Sequence, residues 1–194
     1  ALSLGLIFDV SGSMKGKASV ARDAAATFLK TGSPEDEYFL VTFNSSPEVL
    51  QNFTTDISRL QNHLIFAETS GMTALYDAVY LGLEKLRDGV NTKKALLMIT
   101  DGEDNRSRYT FSNVREYVKE SDVQIYSIGI ADSYSSQLGL GRTGRSNINE
   151  LSETTGGRAF FPNSVYELED ITTKIAIELK NQYVLGYFST NENT

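Results

Sequence analysis

Apolar positions along this chain follow two alternating patterns. Residues 2–8 (LSLGLIF), 37–43 (EYFLVTF), 94–100 (KALLMIT) and 123–130 (VQIYSIGI) are short runs with the length and side-chain types of buried strands. Between them the apolar residues recur at helical spacing. In 16–32, Ala21, Ala24, Ala25, Phe28 and Leu29 share a face, and Gly32 with Pro34 just beyond is a stop signal. In 73–87 the stripe is Leu75, Ala78, Val79, Leu83 and Leu86, and in 164–181 it is Leu168, Ile171, Ile175 and Leu179. The pattern also predicts a helix over 110–121, short helices over 56–64 and near 147–155, and strands over 48–54 (after the turn NSSP) and 158–161. The polar, Gly- and Ser-rich stretch 131–146 reads as a long loop, and 182–188 (QYVLGYF) as a final strand.

Alternation of strand and helix predicts an α/β fold with a mostly parallel sheet covered by helices on both faces. In such sheets ligands bind beyond the carboxyl ends of the strands, where the strand order reverses. A length of 194 residues suits one domain, taken as 1–194 with 182–194 as an extra strand and tail. The opening inside a strand pattern and the polar ending STNENT are expected of a domain cut from a longer chain.

Three of the strand-ending segments carry oxygen-bearing side chains. Asp9, Ser11 and Ser13 alternate with small or apolar residues after the first strand. Thr73 stands at the start of a predicted helix, and Asp101 follows the apolar run 94–100 directly. A parallel sheet puts all three segments on one rim. None of the five side chains offers nitrogen or sulfur, and oxygen-only donors suit hard cations: magnesium, with manganese or calcium as alternatives. Magnesium takes about six oxygens at ~2.0–2.1 Å and usually keeps waters. Two carboxylates and three hydroxyls leave room in that shell, and an ion held directly by one carboxylate stays positively charged. An outside carboxylate is then an attractive further ligand.

Composition narrows the choice. With 18 Lys and Arg against 25 Asp and Glu, the net charge is −7, which disfavours a nucleic-acid partner. The absence of cysteine excludes disulfides and zinc–thiolate sites but permits either side of a membrane, and the single histidine, His63, reads as a helix-surface residue. No run reaches the ~18 apolar residues of a membrane span, so no direct insertion by this segment is expected.

The stretch DVSGSM resembles the Asp-x-Ser-x-Ser motif of von Willebrand factor type A domains, and Thr73 in SGMTALYD with Asp101-Gly102 in TDGEDN matches the other two pieces of that family's metal-ion-dependent adhesion site. The likeness covers nearly the whole chain and is strongest to bacterial members. It implies a three-layer, Rossmann-like, doubly wound sheet, usually six-stranded with one antiparallel edge strand. It also implies Mg²⁺ held by Asp9, Ser11, Ser13 and Thr73, with Asp101 acting directly or through water, and a protein partner that donates Asp or Glu. The function expected is a metal-dependent binding module rather than an enzyme, in an extracytoplasmic rather than cytoplasmic setting.

Two other readings compete. A metal-stabilised structural or assembly domain would use the same ligands without capturing a partner. A phosphoryl-transfer enzyme of the haloacid dehalogenase type needs Asp-x-Asp, whose second acid donates a proton; Ser11 stands at that position and no Gly-x-x-x-x-Gly-Lys loop is present. Around the rim, Glu103 and Asp104 either ring the site or are solvated loop charges. Arg142 and Arg145, in the predicted loop 131–146, either steer an acidic partner or solubilise the loop. Tyr183 and Tyr187 alternate on the last predicted strand, which suits packing or contacts with a neighbour.

Overall fold

On the first strand, β1 (Leu2–Asp9), Leu4, Leu6 and Phe8 face one side and Ile7 the other, and all four are buried. On β4 (Lys93–Thr100), Ala95, Leu97 and Ile99 face one side and Leu96 and Met98 the other. Two-residue alternation with both faces apolar is what a strand covered on both sides requires. The computed structural model describes residues 1–130 and 142–181, and it places these two strands side by side at the centre of a six-stranded sheet.

The other strands are β2 (Glu37–Phe43), β3 (Pro47–Thr54), β5 (Gln124–Gly129) and β6 (Ala159–Phe160), in the order β3-β2-β1-β4-β5-β6. Every pairing is parallel except β2 with β3, which makes β3 an antiparallel edge. One face is covered by α1 (Ala18–Leu29), α2 (Ile57–Phe66) and α6 (Leu168–Lys180), whose apolar residues join those of Leu4, Leu6 and Phe8. The other is covered by α3 (Leu75–Leu86), α4 (Phe111–Lys119) and α5 (Arg142–Thr154), packed on Ile7, Leu96 and Met98. The mostly parallel sheet covered on both faces that the alternation predicts is therefore present, in the three-layer, doubly wound form with one antiparallel edge that the family resemblance implies.

Most element positions match the sequence reading to within a few residues. The loop predicted over 131–146 is an exception: α5 begins at Arg142, so residues 142–146 are helical, and the helix runs 13 residues rather than being a short one near 147–155. The stretch 164–181 is divided into a 3-10 turn at Val165–Glu167 and α6. The final strand predicted over 182–188, with Tyr183 and Tyr187, lies outside the described residues.

Candidate metal centre

The connection after β1 runs to β2 on one side, and the chain later reaches β4 on β1's other side. The strand order thus reverses between β1 and β4, and the crevice beyond their carboxyl ends is where a ligand is expected. Asp9 is the last residue of β1 and Asp101 the first after β4, so both carboxylates stand at this switch point.

Asp9 is fully buried. Its Oδ1 accepts a hydrogen bond from the Ser11 amide at 2.8 Å, and its Oδ2 accepts one from the Thr100 hydroxyl at 2.6 Å. The first bond folds the chain back into the turn that carries both motif serines, whose hydroxyl oxygens lie 3.0 Å apart. Burial pushes the Asp9 carboxyl from its ordinary 3.8 up to about 6; hydrogen bonding from the Ser11 hydroxyl, the Thr100 hydroxyl and the Ser11 amide opposes this, and the nearby Asp101 charge adds to it. The charge on Asp9 is thus only partly compensated by the protein itself.

Backbone bonds knit the Thr73 segment to this turn. The Ser70 amide donates to the Val10 carbonyl at 2.9 Å and the Gly12 amide to the Gly71 carbonyl at 3.0 Å. Thr73, almost fully buried, donates its amide to Asn105 Oδ1 at 2.9 Å and accepts from the Asn105 and Arg106 amides at 3.0 Å each. The helix that follows has Ala74 as its N-cap, so the Thr73 side chain is not used for capping. Among the described residues the Thr73 hydroxyl makes no hydrogen bond.

The turn after β4 is fixed by close backbone contact. Gly102 has φ +86°, and a Cβ on it would lie 2.7 Å from the Gly144 backbone; a Cβ on Gly144 would lie 2.5 Å from the Gly102 carbonyl. Only glycine at both positions lets the first turn of α5 rest on the turn that presents Asp101. Asp101 Oδ2 accepts from Lys17 Nζ at 2.8 Å, and Oδ1 accepts from the Glu103 amide at 3.3 Å.

All five sequence-predicted side chains therefore sit on segments joined at one rim. The surrounding candidates separate. Asp104 accepts from the Tyr76 amide, the Ser107 hydroxyl and the Ser107 amide, so it ties the loop to α3 rather than ringing the site. Glu103 is exposed. Arg142 and Arg145 belong to α5 and not to a loop, and the Arg145 guanidinium lies 4.2 Å from the centre of the Phe161 ring. His63 is exposed on α2, as read from the sequence.

Two contributors escaped the sequence reading. Thr100 was absorbed into an apolar strand, although a hydroxyl ending an otherwise apolar run is a usable signal. Lys17 carries no signal of its own within the helix predicted over 16–32, yet its ammonium is paired with Asp101 across 84 positions.

The donor chemistry fits a hard cation. Two carboxylates and three hydroxyls stand on segments joined at this rim, one carboxylate is destabilised by burial, and an ammonium already neutralises the other. Among the described residues no three acidic, histidine or cysteine side chains cluster, so any ion here relies on hydroxyls and water.

Known structures share this architecture. An aerotolerance-related membrane protein from Bacteroides fragilis, carrying multiple mutations to serine, superposes with a TM-score of 0.75 at 15% identity, over 94% of this chain and 100% of its own. A von Willebrand factor type A protein from Catenulispora acidiphila superposes with a TM-score of 0.75 at 14% identity, over 94% of this chain and 43% of its own. The pilus adhesin SpaC from Lactobacillus rhamnosus GG, in an open conformation, gives a TM-score of 0.72 at 16% identity over 92% of this chain and 30% of its own. Comparison with curated protein sequences finds no match. The family model for the von Willebrand factor type A domain matches residues 4–103, the span that runs from β1 through the Asp101 turn, and the chain belongs to that family.

Proposed function

We propose that this domain is a divalent-metal-dependent protein-binding module of the bacterial type, in which a metal-ion-dependent adhesion site captures an acidic side chain of a partner protein. Asp9, Ser11, Ser13 and Thr73 would hold Mg²⁺ (Mn²⁺ or Ca²⁺ in its place), with Asp101 binding directly or through water. The observation that supports this reading is the meeting of three separate oxygen-bearing segments at the sheet's switch point. The ion supplies a positive charge that the cradle only partly neutralises. The chain's own residues orient the hydroxyls, keep Asp9 dry and leave the rim open towards a partner's carboxylate.

A binding role also agrees with the absence of general-acid machinery: Ser11 stands where a phosphoryl-transfer site of the Asp-x-Asp kind requires a second acid. Similar folds in a pilus adhesin and in a membrane protein support an extracytoplasmic setting. Among the described residues no helix is long and apolar enough to cross a membrane.

The test is binding to a panel of immobilised peptides in which each Asp or Glu peptide is matched by its Asn or Gln counterpart. Acidic peptides should be retained in MgCl₂ and released by EDTA, while the amide counterparts are not retained. Retention indifferent to EDTA contradicts the reading. Stabilisation by Mg²⁺ with no carboxylate-dependent retention favours a structural role for the ion.

A further inference from the structure

Lys17 occupies a place that suits lysine poorly. It is the N-cap of α1, where Ser, Thr, Asp or Asn normally accepts a helix amide, and its side chain makes no such bond. Its positive charge lies at the positive end of the helix dipole. The side chain is only 15% exposed, and lysine is rarely that buried unless paired. What holds it is Asp101, itself only 8% exposed, whose Oδ2 lies 2.8 Å from the ammonium. The pair is built into the rim, not laid over its surface.

The consequence is electrostatic. Without Lys17, the two carboxylates of the cradle would carry a charge of −2 and a bound dication would be neutralised. With Lys17 the cradle carries −1, and a dication in it retains a net charge of +1. We propose that Lys17 is the specificity-determining residue of this centre: its ammonium cancels the Asp101 charge, which weakens the hold on the metal alone and reserves a positive charge for an incoming carboxylate. The inference rests on the metal-binding reading above and deepens it. Affinity for the bare ion is given up, and the ion is left dependent on a ligand from outside.

Neutralising variants separate this from a merely structural pairing. Mn²⁺ alone is the probe, followed by its EPR signal during titration, for the wild-type protein and for Lys17→Met, Lys17→Arg, Asp101→Asn and the double variant Lys17→Met/Asp101→Asn. Lys17→Met should bind Mn²⁺ about tenfold more tightly than wild type, because a unit of positive charge has been removed from the first neighbours of the site. Lys17→Arg keeps the charge and should stay within about threefold of wild type. If Lys17→Met leaves Asp101 too poorly compensated to fold, the comparison moves to the Asp101→Asn background. The double variant removes both charges of the pair and so leaves neither uncompensated, and it should bind Mn²⁺ about tenfold more tightly than Asp101→Asn alone.

A second titration adds sodium acetate to the Mn²⁺-loaded proteins, and acetate should bind more weakly to Lys17→Met than to wild type. Wild-type binding of Mn²⁺ with no gain in either Met variant, or a gain in Lys17→Arg equal to that in Lys17→Met, overturns the role of Lys17 and leaves the metal centre standing. Failure of wild type to bind Mn²⁺ at all removes both.

Discussion

Asp9→Asn should weaken metal binding severely while making the metal-free protein more stable. The two effects come from the same burial. The Asp9 carboxyl is buried, and its pKa rises from 3.8 to about 6. A group whose native value lies above its unfolded value contributes stability that is fully present below the lower value and lost as pH rises through the higher one. In EDTA the protein should therefore lose stability between pH ~4 and ~6 from this residue alone, and at neutral pH the ionised Asp9 costs the fold on the order of 3 kcal/mol.

Asparagine fits the same position: its oxygen can accept from the Ser11 amide, and its NH₂ can donate to the Thr100 hydroxyl, which rotates to receive it. The thermal midpoint of Asp9→Asn in EDTA should therefore rise by several degrees at pH 7. Mn²⁺ affinity should fall on the order of a hundredfold or more, because the most buried charge facing the ion is gone. Differential scanning calorimetry with and without metal reads both effects. A lower midpoint in EDTA, or metal affinity unchanged, contradicts the reading of Asp9 as a ligand held at a cost to stability.

Gly102→Ala should have the largest effect on stability among substitutions near the rim. Two penalties combine there. A Cβ at φ +86° is strained, by ~1–2 kcal/mol, and the new methyl would meet the Gly144 backbone at 2.7 Å, where no side-chain rotation can relieve it. Overpacking against a fixed neighbour adds ~1–3 kcal/mol. The expected loss is about 2–4 kcal/mol by urea denaturation, together with weaker Mn²⁺ binding as the Asp101 turn is pushed off α5. Gly16→Ala supplies the control. Gly16 has φ +87° but nothing within 4 Å of a Cβ, so it should show the strain alone. Equal losses at the two glycines would show that the contact between the Asp101 turn and α5 is not tight.

The contact between Gly102 and Gly144 also explains which parts of the fold were legible. β1 and β4 are covered on both faces, so their apolar runs announce them without reference to partners. The first turn of α5 is the opposite case. Its residues 142–146, RTGRS, are polar and include a glycine, which reads as loop; that glycine is present so that the backbone can approach Gly102, a contact made over 42 positions. Local propensity carries no information about such a neighbour.

The candidate site divides in the same way. The shared rim position of Asp9, Ser11, Ser13, Thr73 and Asp101 is legible because their segments follow a strand or lead into a helix at the end of a parallel sheet where ligands are expected. That of Lys17 is not, since a lysine beginning an amphipathic helix is an ordinary solvated residue until the fold places Asp101 beside it. Asp104 fits neither of the two roles open to it in the sequence, a group ringing the site or a solvated loop charge. Its hydrogen bonds to the Tyr76 amide and to Ser107 make it a brace between the loop and α3, a role that depends on contacts the local sequence does not announce.

The most direct examination of the metal centre is an anomalous difference map, at the manganese edge, from crystals grown in MnCl₂. A single strong peak in the crevice between the ends of β1 and β4, in contact with the Ser11, Ser13 and Thr73 hydroxyls and absent from crystals of Asp9→Asn, is the expected result. An empty crevice at millimolar Mn²⁺, or a peak that persists in Asp9→Asn, would contradict it.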